Sequence, residues 1–128
     1  MKSERQKIQK IFSYLLKQPE QRFPQLRQPL KASHKLGVYV IRKGKVVLHV
    51  GCTPRGKNGL HQRLVNHLNG ASSFTNDYFK GEKRGILRKD GYTYQYLKIA
   101  NPRNRMLLEA YAIGWLCPEH IGLGIGKV

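Results

Sequence analysis

The sequence predicts an α+β fold in which a small three-stranded antiparallel sheet is flanked by helices, with a helical extension at the amino terminus. Two β-favouring segments, Val38 to Arg42 and Val46 to Val50, are separated by a Lys-Gly pair that suits a tight turn. A third segment, Tyr92 to Ile99, alternates tyrosines with other residues, as a strand with two different faces does. Apolar residues at helical spacing occur before, between and after these segments.

Length and charge narrow the possible functions. The chain has 128 residues, which suits one domain with one core. It carries 24 Lys and Arg against 7 Asp and Glu, a formal net charge of +17. A charge this large favours a polyanionic partner, with nucleic acid as the first candidate and an anionic membrane surface as the second. No apolar run is long enough to span a membrane, so we expect no membrane partner.

Short motifs exclude several other classes. The amino-terminal MKSERQKIQK lacks the apolar segment of a signal peptide. Cys52 and Cys117 are too few for a disulfide framework or a zinc site, which favours a reducing, cytoplasmic location. A Walker loop, a CxxC pair, an HExxH motif and a nucleophile elbow are all missing, which argues against nucleotide hydrolysis, zinc chemistry and acyl transfer.

The first predicted element is a helix from about Glu4 to Lys17. Ser3 and Gln6 match a capping box at its start. Its apolar stripe consists of Ile8, Ile11, Phe12, Leu15 and Leu16. The basic opposite face is either solvated or in contact with DNA phosphates. Three prolines between residues 19 and 29 rule out a long regular element, so residues 1–35 are predicted to be a basic helix and a proline-containing linker.

The segment 37–68 is predicted to form strand, turn, strand, loop and helix. Gly51 ends the second strand, and the residues after it form a glycine-bearing loop. The helix that follows has leucines at every fourth position, namely Leu60, Leu64 and Leu68. This apolar stripe leaves Arg63 and His67, one turn apart, together on a neighbouring face.

Basic residues then concentrate in two places that suit phosphate contacts. After a polar loop at residues 69–76, a short helix over residues 78–89 is predicted. The candidate DNA-binding residues are Arg55 and Lys57 in the loop before Arg63, and Lys80, Lys83, Arg84 and Arg88 in the later segment. The alternative for the later cluster is a solvated, charged surface.

The last predicted helix starts at Asn101-Pro102, where Asn is a good cap and Pro suits the first helical position. From Met106 to Cys117 this helix is nearly all apolar, with Glu109 as its one charged residue. A buried carboxylate is costly unless it is paired or coordinates a metal ion. Glu109 is therefore either paired with Arg105, one turn earlier, or a metal ligand.

Together these features resemble the GIY-YIG nuclease family, over roughly residues 36–116. The GVY triplet ending at Tyr39 stands in the place of GIY, and the HVG triplet that begins at His49 stands in the place of YIG. Arg63 and His67 match an Arg and a His of the following helix, and Glu109 matches a Glu of a later helix. His49 departs from the pattern, because the family usually has Tyr there. An Asn that some members carry after the Glu helix is also missing.

The resemblance implies that residues 36–128 form a nuclease domain that hydrolyses DNA phosphodiester bonds with a divalent metal ion. Glu109 would hold Mg²⁺ or Mn²⁺, since a lone carboxylate suits a hard cation that keeps most of its waters. Arg63 would clamp the scissile phosphate, and Tyr39 would orient or deprotonate the attacking water. Tyr39 can act as a base only if nearby cations lower its pKa from about 10. His49 would serve as a base or as a phosphate donor, and His67 completes the site.

Two alternatives remain at this point. One is a nucleic-acid-binding module whose nuclease site is degenerate and inactive because His49 replaces Tyr. The other is an RNA-binding accessory protein, which would explain the charge but not Glu109. We therefore expect DNA, duplex or branched, as the partner, with RNA as the less favoured possibility.

Overall fold

Four antiparallel strands form the sheet at the centre of the computed structural model, which describes residues 3–53, 55–81 and 84–121. The strands are β1 (Gln21–Arg22), β2 (Gly37–Lys43), β3 (Val46–Cys52) and β4 (Tyr92–Lys98), in the spatial order β1-β4-β2-β3. The helices are α1 (Glu4–Lys17), α2 (Gly59–Leu68), α3 (Ser73–Tyr78) and α4 (Pro102–Leu116), with a short 3₁₀ helix at Ile86–Arg88. The predicted α+β class is confirmed.

The predicted number of strands was wrong, because the sheet has a fourth strand, β1. Its two residues pair with β4, with Gln21 opposite Tyr94 and Arg22 opposite Thr93. A strand of two residues between prolines 19 and 24 is too short to show a period-2 pattern in the sequence. Its pairing depends on the edge that β4 offers, and β4 lies some 70 positions later in the chain.

Both faces of the sheet are covered, which explains why β2 is apolar at consecutive positions. Tyr39 and Ile41 point into a core shared with α2, α3 and the 3₁₀ helix. Val38 and Val40, which alternate with them, point into a second core shared with α1 and α4. β2 is therefore an inner strand, and it carries the candidate site residue Tyr39 at full burial.

The first helix follows its sequence signals closely. The capping box of Ser3 and Gln6 is present, and α1 spans the predicted residues. Phe12 packs edge-on against Tyr111 of α4, with ring centroids 5.1 Å apart. α1 thus covers one face of the sheet together with α4.

Two predictions between α2 and β4 were wrong. The predicted polar loop at 69–76 contains the start of α3, which a capping box of Ser72 and Thr75 initiates. The helix predicted for 78–89 is, among the residues that the structure describes there, a single 3₁₀ turn. Lys80 and Gly85 adopt positive φ angles, which end regular helix on either side.

Among residues 3–53, 55–81 and 84–121, no helix is both long and apolar enough to cross a bilayer.

Candidate active site

A cleft of about 180 Å³ lies where β2, β3, α2 and α4 meet. Four of the five residues predicted for the site line it: Tyr39, His49, Arg63 and Glu109. The fifth, His67, is buried beneath the cleft and contacts Tyr39. The structure therefore brings together residues that are as many as 70 positions apart in the chain.

The glycines of the two triplets are required by packing. Gly51 lies opposite Tyr39 in the β2–β3 ladder. A Cβ atom at residue 51 would lie 2.1 Å from the Tyr39 hydroxyl oxygen, so the ring occupies the space that a side chain would fill. A Cβ atom at Gly37 would lie 2.1 Å from the carbonyl oxygen of Leu97 on β4. Both positions thus admit glycine alone without rearrangement of β2.

Tyr39 and His67 form a buried hydrogen-bonded pair. The Tyr39 hydroxyl lies 2.6 Å from His67 Nε2, and His67 Nδ1 lies 2.6 Å from Ser72 Oγ. Burial lowers the pKa of His67 well below its ordinary value, with His49 and Arg63 acting in the same direction. His67 is therefore a neutral imidazole with one N–H and one lone pair.

The neighbours of the pair determine the direction of its hydrogen bonds. The Tyr39 hydroxyl is also hydrogen-bonded to the Arg63 guanidinium, which only donates. The buried hydroxyl consequently finds its acceptor in His67 Nε2, and Nδ1–H donates to Ser72 Oγ. Ser72 in turn belongs to the capping box of α3, where its Oγ lies 3.0 Å from Thr75 Oγ1.

The pKa of Tyr39 is raised, whereas action as a phenolate base would require a lowered pKa. Burial raises the pKa of Tyr39, and the neighbouring Arg63 opposes this effect without cancelling it. Tyr39 is therefore a neutral phenol in the protein by itself. Its hydroxyl accepts a hydrogen bond from Arg63 and donates one to His67 Nε2.

Arg63 and Glu109 supply the opposite charges of the cleft. Arg63 is exposed on α2, and Glu109 is half-buried on α4. Burial raises the pKa of Glu109, and Arg63 acts to lower it. Arg105 Nη1 donates to the carbonyl oxygens of Ile99 and Ala100, at 2.9 and 2.7 Å. Arg63 is the cation that acts on the pKa of Glu109.

His49 occupies the cleft as a second neutral imidazole. Burial lowers the pKa of His49 to about 3, and His120 and Arg63 add to the effect, while a hydrogen bond with the His120 backbone opposes it. Its ring stacks on Phe74, with centroids 4.7 Å apart and planes 11° from parallel. His49 Nδ1 lies 3.1 Å from Nδ1 of His120. A group with this pKa is a weak base but a competent hydrogen-bonding partner.

His120 and Asp77 lie in contact with one another beside His49, which the sequence did not reveal. After α4 the chain turns at Cys117, which has a φ of 47°, and runs back along β3. The backbone N–H of His120 donates to Leu48 O at 2.9 Å, which places its ring against His49. His120 Nε2 lies 3.2 Å from Asp77 Oδ2. No spacing rule connects these residues, because three different elements supply them.

The basic residues predicted to bind DNA fall into two groups. Arg55 and Lys57 are exposed and line a second cleft of about 370 Å³, which adjoins the first because Arg63 lines both. Lys80 and Arg84 are exposed after α3, and Arg88 is half-buried. Lys83 lies outside the described residues.

Glu109 is the carboxylate that lines the cleft among the described residues. Within the part of the chain that the structure describes, no group of three or more His, Cys, Asp or Glu side chains is arranged to hold a metal ion. A cation at Glu109 would therefore take its remaining ligands from water and substrate, which is the donor set that Mg²⁺ accepts.

Comparisons with protein-family models, with curated proteins and with solved structures found no match to this chain.

Proposed function

We propose that this protein is a divalent-metal-dependent endonuclease that hydrolyses phosphodiester bonds in DNA. The observation that carries the proposal is the Tyr39–His67 hydrogen bond of 2.6 Å at the base of a cleft that Arg63 and Glu109 also line. A phenol with a proton acceptor, a guanidinium and a carboxylate can between them activate a water, bind a phosphate and hold a metal ion. Their convergence supports the resemblance to GIY-YIG nucleases, which rests on the same residues.

In the proposed reaction, a water molecule donates one hydrogen to the Tyr39 oxygen while Tyr39 passes its own proton to His67 Nε2. The hydroxide forms the new bond to phosphorus, the bond to the leaving deoxyribose oxygen breaks, and that oxygen takes a proton from solvent. His67 becomes an imidazolium whose Nδ1–H stays bonded to Ser72. The bound phosphate brings negative charge into the cleft, which raises the proton affinity of His67 in the complex.

Arg63 would bind the scissile phosphate. It is exposed, it lines both clefts, and it lies beside the Tyr39 hydroxyl. Its planar fork donates two parallel hydrogen bonds to phosphate oxygens, and its charge stabilises the negative charge that develops in the transition state. Without substrate, the same side chain offsets the carboxylate of Glu109.

Glu109 would hold the metal ion, Mg²⁺ or Mn²⁺, which would polarise the phosphate and stabilise the charge on the leaving oxygen. The fit rests on the environment of Glu109. Burial raises its pKa, so the carboxylate gains from a further positive charge in the cleft.

DNA is the proposed substrate because of the charge of the whole chain and the position of the second cleft. The net charge of +17 favours a polyanion, and Arg55 and Lys57 extend the positive surface from Arg63. A duplex or branched DNA that lies over both clefts would place one phosphate at Arg63. We expect the enzyme to act in the cytoplasm.

The second candidate is a nucleic-acid-binding module without activity, and one observation favours it. His49 occupies the position of the second family tyrosine, so an imidazole stands where the family has a phenol. If His49 cannot replace Tyr, the clefts would bind DNA without cutting it.

Nicking of supercoiled plasmid with Mg²⁺ or Mn²⁺ tests the proposal. We expect metal-dependent nicking in the wild type and its loss in Glu109→Gln, which removes the charge but keeps the shape. Glu20→Gln is the matched control, because Glu20 lies near Arg42 and Thr93, outside the cleft. Nicking that survives in Glu109→Gln or in EDTA would refute the metal site. Tight, salt-sensitive plasmid binding without nicking would favour the binding module.

A further inference from the structure

Asp77, His120 and His49 form a continuous chain of polar contacts that ends at the cleft. Asp77 Oδ2 lies 3.2 Å from His120 Nε2, and His120 Nδ1 lies 3.1 Å from His49 Nδ1. Both imidazoles are buried, whereas Asp77 is exposed. His49 is the member of the chain that lines the cleft beside Tyr39.

The chain determines which ring nitrogen carries each proton. A carboxylate accepts hydrogen bonds and does not donate, so His120 presents Nε2–H to Asp77. When His120 carries that one proton, its Nδ1 has a lone pair, and His49 donates Nδ1–H to it across the 3.1 Å contact. Nε2 of His49 is left with a lone pair. Stacking against Phe74 and the backbone hydrogen bond of His120 to β3 fix both rings in place.

We propose that Asp77 and His120 are positioning residues that hold His49 as its Nδ1–H tautomer, so that Nε2 accepts a hydrogen bond from the attacking water in the cleft. The role in water orientation rests on the function proposed above, whereas the tautomer does not depend on it. The water then has two acceptors: the Tyr39 oxygen takes the proton that is transferred, and His49 Nε2 holds the other hydrogen. With both hydrogens engaged, a lone pair of the water is free to attack phosphorus.

This arrangement gives His49 a role that tyrosine at the same position would fill differently. A tyrosine hydroxyl rotates and both donates and accepts, whereas the histidine tautomer is fixed by its partners. His49 need not become charged in this role. It orients the water and leaves proton transfer to Tyr39 and His67.

The direct test is the tautomer of His49, measured by two-bond ¹H–¹⁵N NMR on the ¹⁵N-histidine-labelled protein at pH 7.5 without DNA. His49→Gln assigns the His49 signals by their loss. We expect His49 as the Nδ1–H tautomer and His120 as the Nε2–H tautomer. An Nε2–H tautomer for His49 would overturn the proposal whether or not the protein cuts DNA.

The second test uses Asp77→Asn, whose carboxamide can donate to His120 as well as accept from it. We expect a mixture of tautomers at His49, and a fall in kcat of about 10- to 100-fold with little change in KM, as is typical when the partner that orients a functional side chain is lost. Asp77→Glu should restore the single tautomer. Asp90→Asn is the matched control, because Asp90 is exposed and pairs with Arg22, outside the cleft.

The two tests separate failure of the positioning role from failure of the proposed function. An unchanged tautomer and an unchanged kcat in Asp77→Asn would overturn the positioning role while the nuclease proposal stands. Absence of any nicking by the wild type, with the expected tautomers present, would overturn both the nuclease proposal and the role of His49 in water orientation. The chain of contacts from Asp77 to His49 would then be a structural feature only.

Discussion

Gly51 faces Tyr39 across the β2–β3 ladder, and the tyrosine ring crosses the position that a Cβ atom of residue 51 would occupy. The distance from that Cβ position to the Tyr39 hydroxyl oxygen would be 2.1 Å, far shorter than a van der Waals contact. The glycine thus allows the hydroxyl to reach His67 Nε2. The glycine of the HVG triplet therefore leaves the space that the tyrosine of the GVY triplet occupies.

We expect Gly51→Ala to abolish nicking and to lower the free energy of unfolding by about 1–3 kcal/mol, because Tyr39 or β3 must move to admit the methyl group. Urea denaturation and plasmid nicking measure the two effects. Gly114→Ala is the control, because a Cβ atom there meets no atom within 4 Å and Ala favours helix. Full nicking by Gly51→Ala would contradict the placement of Tyr39.

We expect Arg63→Lys to lower the nicking rate by about 10-fold or more while DNA affinity changes little. The positive charge remains, but Lys lacks the planar fork that grips two phosphate oxygens. Single-turnover nicking and filter binding separate the two effects. Arg103→Lys serves as a control, since Arg103 pairs with Glu4 of α1 at the start of α4 and does not line the cleft. Equal rates for Arg63→Lys and wild type would argue against a bidentate clamp.

Because His49 is buried as a neutral imidazole, we expect the folded protein to lose stability at acidic pH. In the unfolded chain His49 takes up a proton near pH 6.5, whereas in the folded protein its pKa is lowered to about 3. The unfolded state therefore binds more protons between these values, and stability falls as the pH decreases from about 6.5, by up to about 1.4 kcal/mol per pH unit. His67 adds to the same trend, because its pKa is also lowered.

Urea denaturation at pH 7.5, 6.5 and 5.5 measures this slope, and His49→Gln should make it shallower. A wild-type slope that His49→Gln leaves unchanged would show that His49 is not held neutral in the folded state.

Thr53 fixes the start of β2. Its Oγ1 accepts the N–H of Gly37 at 2.7 Å and donates to the carbonyl oxygen of Gly37 at 3.2 Å, all in a buried position. Thr53→Val keeps the shape but leaves the Gly37 N–H without this acceptor, so we expect a loss of about 1–3 kcal/mol in the free energy of unfolding. Thr53→Ser retains the hydroxyl and should lose less. Equal losses in the two variants would contradict this explanation.

The second cleft, which Arg55 and Lys57 line, predicts that DNA binding depends on salt concentration. Replacing both Arg55 and Lys57 with Gln should weaken DNA binding without regard to sequence and reduce the slope of log K against log salt by about 2, if each contacts one phosphate. DNA-binding titrations between about 50 and 200 mM salt measure this slope, because the expected change in affinity is large over that range. Lys7 and Lys10 changed to Gln on α1 are the control for charge alone. An equal effect in both pairs would assign binding to net charge or to the basic face of α1 as much as to this cleft.

Local patterns were sufficient to predict three of the helices. The capping box of Ser3 and Gln6, the Asn101-Pro102 start of α4 and the leucine stripe of α2 are all present in the structure. Such signals depend on residues within a turn or two of one another, so the sequence alone specifies them. The same local spacing predicted that Arg63 and His67 lie together on one face of α2; in the structure Arg63 lines the cleft, whereas His67 is buried beneath it.

Contacts between residues far apart in the chain could be seen only in the tertiary structure. β1 exists because β4 offers it an edge, and His120 reaches His49 because the chain after α4 runs back along β3. Burial also decided the protonation states: it raises the pKa of Tyr39, although sequence reasoning required it to fall, and it keeps His49 neutral. Sequence determined which side chains are available and how they are spaced along each helix and strand. Only the packed fold sets the solvent exposure and the partners of each group, and these quantities fix its charge and its hydrogen bonds.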